Sequence, residues 1–458
     1  MLVTESTAEV LHADLSRWSA IDPPEIPLSP IDSVMPPCYI TAIYVFKNAN
    51  GLADFMPFDL LSEGLKLAMA DFPDLNYRLK RNCTGDCVLV TENCGVRLVT
   101  ANADFSAADL EAINFDPVRL PASLLDGSPA DCGQFVCKFK LTRLSDNSVA
   151  LGVLLHHNVM DGDGAFGFIN RWAGICRELR QRGGRPAEPE LQRPPVSRDR
   201  SVLKPDGVPS SVDHQGREYA YVEPQPAPEP EVKPTLPVTQ APQFTARLFH
   251  LSADFLARLK NSVNSEPGEQ PAVQCTTNDC LVALLWRCVT KAKRLPADAP
   301  TKFAMACNAR QRLSLPAGYA GNANFYIADQ LTTGEVADGL SLASLARRVR
   351  AAVSHGTAPD YLRSILRWLA ERPDRSRILP GFRMFANDLA FTSWVHFPVY
   401  EADFGWGRPL RFAVPSAGFD GLAVLMPRFD GDGYDVLTGC EVDAMDRLAA
   451  MPELARPT

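Results

Sequence analysis

The sequence predicts a mixed α/β or α+β fold built in two halves, and three observations carry that expectation. At 458 residues the chain is too long for one ordinary core, so two domains of roughly 200 residues are expected. Segments of strand and helix character alternate on both sides of the middle. Between them, over 183–243, the composition turns abruptly to Pro, Glu and Gln. Such a stretch buries too little apolar surface to fold alone and favours extended backbone, so it reads as a crossover joining domains 1–182 and 244–458.

Along the first half, LSPIDSVMPP (28–37) is a Pro-punctuated loop leading into CYITAIYVF (38–46), which has strand composition. FDLLSEGLKLAMADFP (58–73) sets Leu60, Leu61, Gly64, Leu65 and Ala68 at helical spacing, and Pro73 stops it. GQFVCKFKLTRLSDNSVALGVLLHH (133–157) reads as a hairpin. Phe135, Cys137, Phe139 and Leu141 alternate with Lys138, Lys140 and Thr142, and SDN supplies the turn. The returning VALGVLLH is apolar on both faces, as a central strand should be. FGFINRWAGICREL (166–179) follows as an amphipathic helix. In the second half, FTARLFHLSADFLARLK (244–260) is a strand and a helix, CTTNDCLVALLWRCVTKAKRL (275–295) a helix, and TKFAMACNARQRL (301–313) a strand. Two helical stretches, LASLARRVRAAVSH and DYLRSILRWLAERP, precede LAFTSWVHFPVY (389–400), which alternates like a strand and could cross back to the first domain.

A formal net charge of −8, with no basic run interleaved with aromatics, argues against a nucleic-acid or membrane-surface binder. MLVTESTAEVLHADLSRW lacks the basic-then-apolar pattern of a signal peptide. The longest apolar runs, VALGVLL (149–155) and CLVALLW (280–286), fall well short of the ~20 residues of a spanning helix. A cytoplasmic protein is the default. Twelve scattered cysteines read as reduced thiols, and Cys83, Cys87 and Cys94 lack zinc-site spacing.

HHNVMDG (156–162) is the stretch with the most chemistry. A metal site needs three or four ligands, but His156 and His157 are adjacent on a strand and point to opposite faces. No metal is expected. A general base needs one imidazole held with a free nitrogen toward a groove, and a strand end delivers that, with Gly162 and Gly164 letting the backbone turn. On local pattern alone, a buried histidine at a strand–loop junction explains the stretch equally well.

HHNVMDG together with TSWVHFPVYEADFGWGRP (392–409) resembles the BAHD acyltransferases, nearest their hydroxycinnamoyl transferase branch. Further matching stretches are LSPIDSVMP (28–36), TTNDCLVALLWRCVTKAK (276–293), NARQRLSLPAGYAGN (308–322) and DYLRSIL (360–366). The resemblance implies two similar domains of the chloramphenicol-acetyltransferase type, each a mixed sheet flanked by helices, with a channel between them. It implies acyl-CoA as co-substrate, carrying a hydroxycinnamoyl or other aromatic, or a short aliphatic, acyl group, with no bound cofactor, a small alcohol or amine as acceptor, and a monomer. By the same resemblance His157 is the general base, and Asp161 pairs with Arg310 to hold the loop. Trp394 and Thr392, two apart on a strand, offer an indole N–H and a hydroxyl to the oxyanion, although core packing would also account for Trp394. Asp403, Gly405 and Gly407 of DFGWG are structural, Lys260 is a candidate for the coenzyme A phosphates, and Tyr44 and Arg383 are candidates for the acceptor pocket. The branch carries an arginine where this chain has Pro380, and Ile40 and Ala42 replace its small hydroxyl residues, so an acceptor resembling shikimate is not implied. The competing readings are a condensation-type protein that uses carrier-bound acyl groups, and a non-catalytic binding relative.

Overall fold

The computed structural model describes residues 1–19, 21–130, 133–183, 196–224, 244–267, 273–383, 386–415 and 420–455. The Pro-rich runs at 184–195 and 225–243 lie outside the described residues. Two six-stranded mixed sheets, each flanked by helices, form the molecule.

The first sheet runs Val3–Leu11, Val96–Ala103, Cys137–Arg143, Val149–His156, Tyr39–Phe46 and Arg411–Ala413. Its hairpin is antiparallel with Cys137 opposite Leu155 and Arg143 opposite Val149. One face packs on the Phe58–Asp71 and Gly162–Gln181 helices through Phe139, Phe168 and Trp172. The other is covered by Phe105, Leu110 and Leu124, from the Ala107–Ala112 helix and its neighbours. This second layer explains why Lys138, Lys140 and Thr142, the polar alternates of the hairpin, are nonetheless buried. Lys140 reaches out along its own stem to Glu5, 2.7 Å away. Val3–Leu11 is an exposed edge strand, antiparallel to Val96–Ala103, that the sequence pattern did not reveal.

The second sheet runs Phe244–Leu251, Tyr434–Glu441, Leu422–Pro427, Leu389–Ser393, Pro300–Asn308 and Asn324–Thr332. The Thr277–Lys293 helix is buried against it, started by a reciprocal cap in which Thr276 Oγ1 accepts from Asp279 N–H and Asp279 accepts from Thr276 N–H.

Two expectations need correction. The strand expected at 389–400 ends at Ser393 and lies inside the second sheet, parallel to both its neighbours. The segment that crosses to the first sheet is Arg411–Ala413, antiparallel to Tyr39–Phe46. Pro398 and the two left-handed glycines of DFGWG (φ 108° and 107° at Gly405 and Gly407) turn the chain between them. The crossover is also not uniformly a linker, because residues 196–224 are docked. Arg198 pairs with Asp22 and Asp74, Arg200 with Asp32 and Asp74, and Tyr219–Tyr221 pairs with Ile378–Pro380. His214 is buried with a ring nitrogen 2.9 Å from each of Glu218 and Ser364. Charge pairs and hydrogen bonds act here beside apolar burial, since Leu203, Tyr219 and Tyr221 join a hydrophobic cluster with Tyr319 and Tyr361. Among the described residues no helix is long and apolar enough to cross a membrane.

Candidate active site

His157 stands one residue beyond the buried Val149–His156 strand. Its N–H donates to Cys38 O (2.9 Å) and its carbonyl accepts from Asn322 Nδ2 (2.8 Å), so the backbone is gripped on both sides. Its Nδ1 is buried without a hydrogen-bond partner, whereas Nε2 is neither sealed nor bonded among the described residues. Burial pushes this imidazole below its ordinary value, while its own backbone, the Asp161 carboxylate and Asn322 pull it back. The ring is therefore neutral at neutral pH, with Nε2 able to accept a proton.

His156 takes the opposite side, edge-on to Tyr39 with 5.5 Å between ring centroids, and its Nδ1 accepts from Asn158 N–H. Burial, then the neighbouring His157 and Arg81, drive it down to about 4. In the unfolded chain it returns to about 6.5. Between these values the unfolded state binds the extra proton, so His156 weakens the fold as pH falls from about 6.5 to 4 and costs nothing above that window. We expect His156→Gln to flatten a curve of denaturant stability against pH over that interval by an amount on the order of 3 kcal/mol.

Asp161 caps the Gly162–Gln181 helix, accepting from Gly164 N–H. Arg310 grips both its oxygens, each at 2.8 Å, and Ala323 N–H adds a bond of 2.9 Å. Among the described residues the carboxylate makes no hydrogen bond to His157. Gly162 and Gly164 are the first residues of the helix, not a sharp loop, which corrects the reason given for them. A Cβ on Gly162 would lie 2.5 Å from the Phe397 ring, and one on Gly164 would lie 2.5 Å from Ala320 O. Both glycines serve close approach between the halves.

Thr392 and Trp394 share a side, and the indole Nε1–H donates to Thr392 Oγ1 at 3.2 Å. The Thr392 hydroxyl thus accepts one bond and keeps its own proton to give. Trp394 packs on Phe166, four residues into the helix that begins below His157, and close to Phe397 and Phe412.

The remaining residues are dispersed. Tyr44 is 1% exposed within the first core, stacked near Phe46 and edge-on to Phe412, and its hydroxyl is buried without a partner. Arg383 is exposed, and its N–H donates to Asp388. Lys260 is exposed in mid-helix, because Ala253–Ser265 runs five residues past the expected end. In DFGWG, Asp403 Oδ1 accepts from Gly405 and Gly407 N–H, while Phe404 packs edge-on against Phe46 and Trp172. Arg177 and Arg180 donate to the carbonyls of Asp403 and Gly405. That contact lies about 22 Å along the helix from Gly162. An open cavity of about 630 Å³ between residues 210–223 and the Pro359–Ala370 helix contains none of these residues, and its Ser210, Asp213 and Glu371 already hold hydrogen bonds. Among the described residues no cluster of His, Cys, Asp and Glu could hold a metal. Sequence reasoning missed Asn322, which holds the His157 carbonyl, and Asp32 and Arg200, which stand in line behind it, although Asp32 and Asn322 sit within stretches already singled out.

Comparison with known proteins fits this arrangement. The chain is 30% identical over 438 residues to hydroxycinnamoyltransferase 2 of Oryza sativa subsp. japonica, covering 92% of this chain and 94% of the relative. It is 32% identical over 411 residues to rosmarinate synthase of Plectranthus scutellarioides, covering 89% of each. Its fold is similar to that of F. graminearum TRI101 complexed with coenzyme A and deoxynivalenol, with a TM-score of 0.77, 18% identity, and 94% and 98% of the two chains covered. Residues 1–454 match the Transferase family. The chain belongs to that family, the BAHD acyltransferases, enzymes that move an acyl group from a coenzyme A thioester to an alcohol or an amine.

Proposed function

We propose that this enzyme transfers a hydroxycinnamoyl or similar aromatic acyl group from coenzyme A to a small alcohol or amine, with His157 as general base. The observation that carries the reading is an imidazole with one nitrogen sealed and the other open, where the two halves meet. The aromatic donor rests on relatives named for hydroxycinnamoyl transfer.

The acceptor oxygen or nitrogen loses its proton to His157 Nε2 as it attacks the thioester carbonyl. A new C–O or C–N bond forms and the carbonyl oxygen becomes an oxyanion. The Thr392 hydroxyl donates to that oxyanion, turned by the Trp394 indole that occupies its lone pair. Collapse of the intermediate breaks the C–S bond, and the thiolate leaves with the proton from His157 as free coenzyme A. Asp161 and Arg310 hold the loop, and Asp403, Gly405 and Gly407 fasten the crossing chain to the first half. The enzyme works as a cytoplasmic monomer in this reading, since both sides of the site come from one chain and the described cysteines are all free thiols.

Mixing the protein with a panel of acyl-CoAs and acceptors, following free thiol and identifying products by mass spectrometry, tests this. Thiol release with an aromatic acyl-CoA supports the proposal. A protein that ignores free acyl-CoA but accepts a carrier-bound acyl group is a condensation type, and one that binds without turnover is a non-catalytic relative. Thr392→Val keeps the shape and removes the donor, so kcat should fall by about 10²–10³-fold in the same assay.

A further inference from the structure

We propose that Asn322, locked by Asp32, is a positioning residue for the base: it fixes the His157 backbone and presents its amide oxygen to the buried Nδ1 side of the ring. The inference rests on His157 being the base.

Asn322 comes from the second half, in the loop between Pro300–Asn308 and Asn324–Thr332, and is fully buried. Both hydrogens of its side-chain amide are committed. One goes to Asp32 Oδ1 at 2.7 Å and the other to the His157 carbonyl at 2.8 Å. Its backbone N–H also donates to Asp32 Oδ1, at 2.9 Å. Asp32 is fully buried in turn, with Oδ2 accepting from the N–H and Oγ of Ser29 and lying 3.3 Å from the Arg200 guanidinium. A flipped amide would aim its oxygen at a carboxylate and a carbonyl, so the orientation has one solution.

That solution leaves Asn322 Oδ1 as a buried acceptor with no partner, and His157 Nδ1 is a buried nitrogen with none. Unpaired polar atoms at such depth are costly. Each is what the other lacks, provided Nδ1 carries the hydrogen, and that tautomer frees Nε2 to act as base. The Asn322 side chain also favours the protonated ring, the form that exists once the acceptor has given up its proton. An amide oxygen facing Nδ1–H therefore interacts more strongly after proton transfer than before it, which is what lowers a barrier.

Asn322→Ala is the test, read as the pH profile of kcat and kcat/KM for thiol release, with melting temperature as the control for folding. We expect kcat to fall by up to about 10²-fold, with KM for acyl-CoA little changed. The acid limb should move to lower pH, because a group that raises the proton affinity of His157 has been removed. A folded variant whose acid limb stays in place, with only stability or KM altered, overturns the proposal. If the alanine variant does not fold, Asn322→Ser is read in the same way. Independently, ¹⁵N spectra of the ring in the unaltered protein should show Nδ1 protonated in the neutral form, and finding the proton on Nε2 also overturns it. Full turnover in His157→Ala would instead refute the base reading itself, so the two failures are distinct.

Discussion

His157→Ala is expected to leave a folded protein that transfers acyl groups about 10²–10⁴-fold more slowly. The size follows from what is lost. An alcohol holds its proton tightly, and without Nε2 the attack must expel that proton to water as the carbon–oxygen bond forms. Substrate binding and the Thr392 donor remain, so residual turnover above solution chemistry should persist. The fold should tolerate the change, since the residue is anchored by its backbone to Cys38 and Asn322. Single-turnover thiol release at saturating acyl-CoA, with circular dichroism as a folding control, checks the outcome. Turnover within a few-fold of the unaltered protein would remove His157 from the mechanism.

Asp161→Ala should be the most destabilising change at the site, by about 3 kcal/mol, because it breaks a buried ion pair from one side. Arg310, 13% exposed, is held by both oxygens of Asp161, and without them it keeps only the more exposed Asp163, 3.1 Å away, and the carbonyls of Tyr319 and Gly321. Removing Asp161 also frees the N–H groups of Gly164 and Ala323 and uncaps the helix. A melting temperature lower by roughly 10 °C is expected. The accompanying loss of activity distinguishes the two roles open to a carboxylate four residues from a base. Held as the geometry has it, Asp161→Asn should lose stability and activity together, keeping part of each through its remaining acceptor oxygen. Were Asp161 a partner of the imidazole, the asparagine variant would be as inactive as His157→Ala with an unchanged melt.

The sequence disclosed the parts of the fold that repeat a simple period. The Cys137–Arg143 and Val149–His156 hairpin, the Thr277–Lys293 helix and the strand of Thr392 all follow from apolar spacing. The geometry of the candidate site was legible where motif and position coincide, in the placing of His157 at the end of a buried strand and in the pairing of Asp161 with Arg310. It was illegible where a residue acts through burial. Asp32 and Asn322 look like ordinary loop residues until the fold removes water from them, and only then does each bond become directional and scarce. Arg198 and Arg200 misled for the same reason, since a Pro-rich, charged stretch reads as solvated unless the buried Asp32 and Asp74 and the half-buried Asp22 wait for it. Val3–Leu11 escaped because an edge strand facing water has no apolar face to betray it.

The three residues Arg411–Ala413 have a consequence for how this protein can be made and recombined. They are the last strand of the first sheet, yet they are encoded after nine-tenths of the chain, so a ribosome releases residues 1–182 with Tyr39–Phe46, a ribbon apolar but for Thr41, bare along one side. Until residue 413 emerges, that ribbon is an invitation to pair with any passing strand. Grafting the front portion of this enzyme onto the rear of a relative will succeed only if the donor of the rear supplies a matching final rung.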